Sequence, residues 1–185
     1  QQHISTILDL FLSGESGKEI HLPGNILAKV DYKKLVIQKN KPVSEESYQY
    51  ELDLGWNEFK EIGYNINLRV LSREEMGNIH RGDKPRIFDY SKIKGQLRIR
   101  NRWVGDRFSP FGMKGRKKLK DYFIDEKISK DLRNHIPLLT DDEEILWVMG
   151  YRTSELYKVN KDSEEILLVE FQALKIKEDK NGEGY

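Results

Sequence analysis

Nine basic side chains crowd into 23 residues of this chain: Arg98, Arg100, Arg102, Arg107, Lys114, Arg116, Lys117, Lys118 and Lys120. The chemistry open to them is anion binding, because a guanidinium fork grips phosphate oxygens in pairs and an ammonium group acts as a mobile point charge. Between Lys92 and Lys130 thirteen lysines and arginines face four acids, a local balance of +9, while the rest of the chain carries −8. The near-neutral total of +1 therefore hides a bipolar molecule. Segregation of this kind points to a polyanionic partner.

Two elements must position these cations. If Leu97–Val104 is a strand, Arg98, Arg100 and Arg102 share one face at ~6.5 to 7 Å spacing while Leu97, Ile99 and Trp103 share the other. That spacing suits a row of phosphates, although each arginine taken singly is explained as simply by a solvated face with acidic strands beside it. The following "GDRFSPFGMKGRKKLK" reads as a Gly/Pro-punctuated loop that delivers lysines to the start of a helix. Positive charge there opposes the helix dipole and becomes useful if a phosphate docks on the amides. Trp103, Phe108 and Phe111 are interleaved with the cations. They permit base stacking, but core packing is the simpler expectation for all three. Asp106 is expected to pair with Arg107 or to cap the turn.

Other suggestive stretches fail on inspection. "GESGKE" (Gly14 to Glu19) is too short for a phosphate-binding loop and places Glu where a magnesium-binding Ser/Thr belongs. "RGD" (Arg81 to Asp83) is a chance loop tripeptide, and His3, His21, His80 and His135 stand at no metal-ligand spacing. "DDEE" (Asp141 to Glu144) reads as a solvated turn or as an internal partner of the basic loop. No catalytic constellation stands out.

The remaining elements follow from periodicity. His3 to Leu12 has helical apolar spacing through Ile4, Ile7, Leu8, Phe11 and Leu12. Short strands are expected at Leu35–Ile37 and Tyr48–Leu52, a half-buried one along Ile62–Val70, and core strands at Ile145–Met149 and Ile166–Val169. Lys118–Lys127 is helical in spacing, and Ser129 can cap a further short helix ending before Pro137. The expected fold class is α+β: two small units with mainly antiparallel sheets and a few short helices. Their expected bounds are 1–75 for a middle region, 76–85 for a linker, 86–172 for a C-terminal α+β domain and 173–185 for a frayed tail. With no cysteine and no apolar run of ~18 residues, a disulfide framework and a membrane span are not expected, and the cytoplasm is the default location. Gln1 in place of Met suggests a piece of a longer protein.

At the basic segment the chain resembles a known family. "GDRFSPFG", "KKLKD", "FIDEKI", "PLL" and "ILWVMGYR" are similar to the C-terminal domain of bacterial tRNA(Ile)-lysidine synthetases, most closely over Ile99 to Arg152. The resemblance implies a parent ligase that uses ATP to adenylate the anticodon cytidine of tRNA(Ile), which free lysine then attacks. That chemistry belongs to an N-terminal catalytic domain bearing an S-G-G-x-D-S loop, ATP and Mg. No such loop stands in this chain, so no catalytic or cofactor residue is carried over, and this part is expected to be non-catalytic. The resemblance implies that it grips the tRNA body, notably the acceptor stem. The expected partners are tRNA(Ile), the parent's catalytic domain and, in the alternative of a docking or dimerisation module, a second copy.

Overall fold

The computed structural model describes residues 2–15, 17–24, 26–39, 47–77 and 86–174. In chain order the first elements are α1 (Gln2–Leu12), β1 (Glu19–Leu22), β2 (Ile26–Asp31), β3 (Lys34–Lys39), β4 (Gln49–Glu51), β5 (Gly55–Phe59), β6 (Tyr64–Ser72) and α2 (Arg73–Gly77). Then come β7 (Arg86–Asp89), β8 (Arg98–Arg100), β9 (Arg107–Phe108), β10 (Lys117–Lys118), α3 (Leu119–Asp125), β11 (Leu138–Thr140), β12 (Ile145–Val148) and β13 (Glu165–Ala173). Eight strand pairings among the described residues are antiparallel, so the α+β class with mainly antiparallel sheets and short helices is what the chain adopts.

The chain does divide in two, but not into consecutive blocks. One unit gathers residues 1–48, 101–107 and 117–137; the other gathers 49–100, 108–116 and 138–185. The expected cut at 76–85 fails because β6 pairs with β13 in a register running from Tyr64 opposite Ala173 to Ser72 opposite Glu165. Nine residues of ladder tie together segments that composition assigned to different domains. Of the expected linker, residues 78–85 lie outside the described residues, as does the tail from 175 onward.

In the first unit β1, β2 and β3 form a meander, and α1 lays Leu10 with Ile7 against Ala28, Val30, Ile20, Leu22 and Leu35. Only part of the apolar face of α1 is used: Ile4, Leu8, Phe11 and Leu12 are exposed. The second unit holds two four-stranded sheets, ordered β12-β11-β8-β4 and β5-β6-β13-β7. They are joined by aromatic contacts, Tyr50 stacked on Phe59 at 5.1 Å and Trp147 edge-on to Phe171 at 5.7 Å. Ile66, Leu68, Phe88, Ile99, Leu138, Leu139, Leu146, Ile166 and Leu167 are fully buried there. The wet face expected on β6 is interrupted at Asn67, which is buried and whose Nδ2 donates to Glu170 on β13 at 2.7 Å. The helix expected after Ser129 is a run of turns instead, with i to i+3 bonds from Leu132 N–H to Ser129 O and from His135 N–H to Leu132 O.

One buried carboxylate locks the end of β7. Asp89 accepts from the hydroxyls of Ser91 and Ser163, each at 2.7 Å, and pairs with Lys92 at 3.2 Å. Burial pushes its carboxyl up, but the two hydroxyls and the ammonium together outweigh burial and hold it below the ordinary range. Its stabilising effect is therefore complete above the unfolded value of about 3.9 and fades as pH falls through the lower folded value. Asp89→Asn should lose about 1–3 kcal/mol at pH 7. In urea unfolding, that difference from the parent chain should shrink steadily below about pH 4.

Candidate nucleic-acid interface

The row of three arginines does not form. Only Arg98–Arg100 is strand, and β8 lies between β11 and β4. Leu97 and Ile99 are buried as expected, but so is Arg100 at 7% exposure, opposite Leu138 and Gln49. Arg98 bonds Asp142 through Nη1 and Glu51 through Nη2, the latter at 3.3 Å. Beyond the strand, Nε of Arg102 donates to Asn134 Oδ1 at 2.7 Å. Trp103, expected on the inner face, is 49% exposed, because the chain has left the sheet by then.

The acidic turn accounts for much of the neutralisation. Asp141 Oδ1 accepts the N–H groups of Glu143 and Glu144, and its Oδ2 accepts the N–H of Lys94 and the hydroxyl of Tyr157. Asp142 answers Arg98, and Glu144 answers Arg116 at 3.0 Å. The hydrogen bond from Arg98 holds the Asp142 carboxyl below its usual range, whereas burial pushes that of Glu144 up, partly opposed by Arg116. Of the two expectations for "DDEE", the internal partner is the one realised.

In the first unit Asp106 builds the turn that presents the next cation. Its Oδ2 accepts the Trp103 N–H at 2.7 Å and its carbonyl accepts the Leu119 N–H at 2.8 Å, while Gly105 takes the positive φ of +92 that the turn requires. Val104 at the tip is fully exposed, and Arg107 follows it, exposed. Helix α3 buries Leu119, Tyr122 and Phe123, the i, i+3, i+4 face. It closes with Lys127 at φ +55, where Ile128 N–H reaches Phe123 O and Lys127 N–H reaches Ile124 O. Lys118 and Lys120 are left on the outer side, exposed; Lys117 folds back onto Asp125.

In the second unit the loop after Phe108 is pinned by its backbone. Phe111 N–H donates to Thr153 O at 2.8 Å, Glu155 N–H to Ser109 O at 2.7 Å, and Gly112 N–H to Glu155 Oε2 at 2.7 Å. Phe108 is buried, but Phe111 is 44% exposed and Lys114 is exposed beside it. Core packing thus holds for only one of the three aromatics. Among the described residues Arg107, Lys114, Lys118 and Lys120 make no ion pair and no side-chain hydrogen bond. Lys127 and Lys130 are exposed in the same way. They were inside the basic segment counted at the outset but beyond the loop that singled out the others.

Among the described residues no group of three or more His, Asp or Glu side chains stands where it could hold a metal ion. Within "GESGKE" the residues Gly14, Glu15, Gly17, Lys18 and Glu19 are exposed, and Lys18 pairs with Glu15 at 3.7 Å.

The chain is thus an antiparallel α+β scaffold that sorts one basic segment into paired, buried and exposed cations. Residues 97–170 match the family of TilS substrate C-terminal domains. A solved structure, "Crystal structure of TILS C-terminal domain", superposes with a TM-score of 0.55 at 29% identity, covering 71% of this chain and all of that one. The tRNA(Ile)-lysidine synthase of Caldanaerobacter subterraneus subsp. tengcongensis is 39% identical over 170 residues, 91% of this chain and 36% of the relative. That of Clostridium tetani is 38% identical over 180 residues, 94% of this chain and 38% of the relative. The chain therefore spans little more than a third of the length of these ligases.

Gly95 tests the neutralising cluster. It precedes β8 at φ +68, and a Cβ there would lie 1.7 Å from Asp142 Oδ2. Gly95→Ala should lose about 1–3 kcal/mol of stability through backbone strain and displace Asp142 from Arg98. Denaturant unfolding reads the first effect, and the Asp142 carboxyl titration, rising toward its ordinary value, reads the second.

Proposed function

We propose that this chain is the tRNA-gripping portion of a tRNA(Ile)-lysidine synthase, and that it holds tRNA(Ile) while other parts of the enzyme perform the ATP-dependent attachment of lysine. The observation that carries the reading is that four of the nine candidate cations are exposed and lack a carboxylate partner among the described residues: Arg107, Lys118 and Lys120 in one unit and Lys114 in the other. Arg98, Arg116 and Lys117 are already met by carboxylates of the chain itself, so these four are where an external polyanion gains most. A duplex RNA stem presents phosphates and 2′-hydroxyls more readily than base edges. Contacts from lysine and arginine therefore position the tRNA more than they read it, and the acceptor stem is the stretch assigned here. Arg98, paired with Asp142 and Glu51, the buried Arg100, and Arg102, bonded to Asn134, are held within the fold, and Arg116 and Lys117 reach RNA only by exchanging a carboxylate for a phosphate.

With about four to six phosphates engaged, the log–log dependence of affinity on salt should have a slope of about −3 to −5. Lys118→Glu combined with Lys120→Glu should flatten it by about 2, while Arg98→Gln leaves it unchanged. A footprint protecting the acceptor stem supports the assignment; a slope indifferent to charge reversal at all four exposed cations rules this surface out.

The exposed stripe Ile4, Leu8, Phe11 and Leu12 on α1 favours a second role in docking, to the catalytic part or to a second copy. In sedimentation runs without RNA, self-association that disappears in Leu8→Gln would assign the stripe to a dimer; a monomer throughout would leave it to the catalytic part.

A further inference from the structure

The second unit carries a cleft of about 390 Å³ between the pinned loop and the segment Thr153–Val159. Its volume sits at the lower end of the range of about 300–1,000 Å³ common to small-ligand clefts. Phe111 and Ile87 supply apolar walls, Thr153 and Ser154 line its polar part, and Arg86 and Lys158 supply positive charge.

Three features make this a built site instead of a gap between loops. First, Phe111 is held half-exposed by a backbone that is hydrogen-bonded at Ser109, Phe111 and Gly112, so its ring is presented in place. Second, Lys158 Nζ stands 5.1 Å from the Phe111 ring centroid, and the Arg86 guanidinium lies 5.6 Å from that of Trp147. Each cation is thereby parked on an aromatic face. Third, the nearby carboxylate is already committed: Glu155 accepts the Gly112 N–H and pairs with Lys158 at 3.2 Å. These bonds, the Gly112 N–H above all, hold its carboxyl below the ordinary range. An incoming anion would meet Arg86 directly and Lys158 by exchange for Glu155.

We infer that this cleft takes one unpaired nucleotide of the bound RNA, its base against Phe111 and Ile87 and its phosphate between Arg86 and Lys158. The inference rests on the reading that the chain binds tRNA(Ile), and it adds a contact that a duplex surface does not offer. A base inside a helix shows only its edges, whereas an unpaired base offers a π-face to an aromatic ring. Charge complementarity and the exposed ring select such a nucleotide over a paired stem, and Lys114, three residues along the same loop, continues the positive surface outward. In a tRNA whose acceptor stem is gripped, the single-stranded 3′ terminus is the unpaired stretch that this assignment names.

The test compares intact tRNA(Ile) with tRNA(Ile) trimmed back to its last paired nucleotide, binding to the whole chain at fixed salt. Trimming should weaken binding by about 5- to 150-fold, the range of one stacked base. Phe111→Ala should weaken the intact RNA by the same factor and the trimmed RNA no further, and Phe111→Tyr should retain binding. Equal effects of Phe111→Ala on both RNAs, or none on either, would overturn the inference while leaving the cationic surface standing. Adenosine monophosphate bound in a Phe111-dependent way, with trimming without effect, would give the cleft to free nucleotides and overturn it too. Failure of both RNAs to bind the parent chain would instead remove the functional reading beneath it.

Discussion

The acidic turn Asp141–Glu144 decides where the positive charge of this protein can go. Arg98 sits on an inner strand with its side chain 21% exposed, and a guanidinium so placed destabilises the fold unless carboxylates meet it. Asp142 and Glu51 do so from the two flanking sides. Asp141 fixes the geometry of the turn by accepting its own downstream amides and the Lys94 N–H, so that Asp142 and Glu144 are held facing the cations they answer. Removing that turn would leave the sheet with charge it could neither bury nor screen. What remains for a partner is a subset of the +9 that the segment carries.

Much of this was legible beforehand, and the misses share a cause. Strands β6, β12 and β13 followed from alternation or from short apolar runs, and α3 from the spacing of Leu119, Tyr122 and Phe123, because those patterns are local. The facing of Arg100 was not legible, since it depends on which strands flank β8, and both partners come from elsewhere in the chain. The division into units failed for the same reason. The ladder from Tyr64–Ala173 to Ser72–Glu165 joins positions about a hundred residues apart, and no local change of composition marks it. The run after Ser129 shows the opposite limit: a helix start signal followed by too few residues before Pro137 for more than successive turns.

Phe108 and Phe111 separate packing from presentation within one loop. They lie three residues apart, yet Phe108 is fully buried and Phe111 is 44% exposed. Sequence composition treats them alike. The difference comes from the backbone: the isolated bridge between Pro110 and Ser154 and the bond from Phe111 N–H to Thr153 O turn the chain outward just after the buried ring. A loop tethered in this way holds an aromatic side chain in water without collapsing onto the core, a state that hydrophobic burial alone would disfavour.

Helix α3 shows why such a surface can carry charge at all. Lysines at 118 and 120, around its first turn, are unfavourable by about a few tenths of a kcal/mol each against the helix dipole. The Leu119 amide is already donated to Asp106, which lessens that positive end further. Against this, burying Leu119, Tyr122 and Phe123 contributes about 1.5–3 kcal/mol per large side chain. The inner face therefore sets the helix in place with energy to spare, and the outer face is nearly indifferent to what it bears. Stability does not choose the residues at 118 and 120, so their charge is available for a role outside the fold.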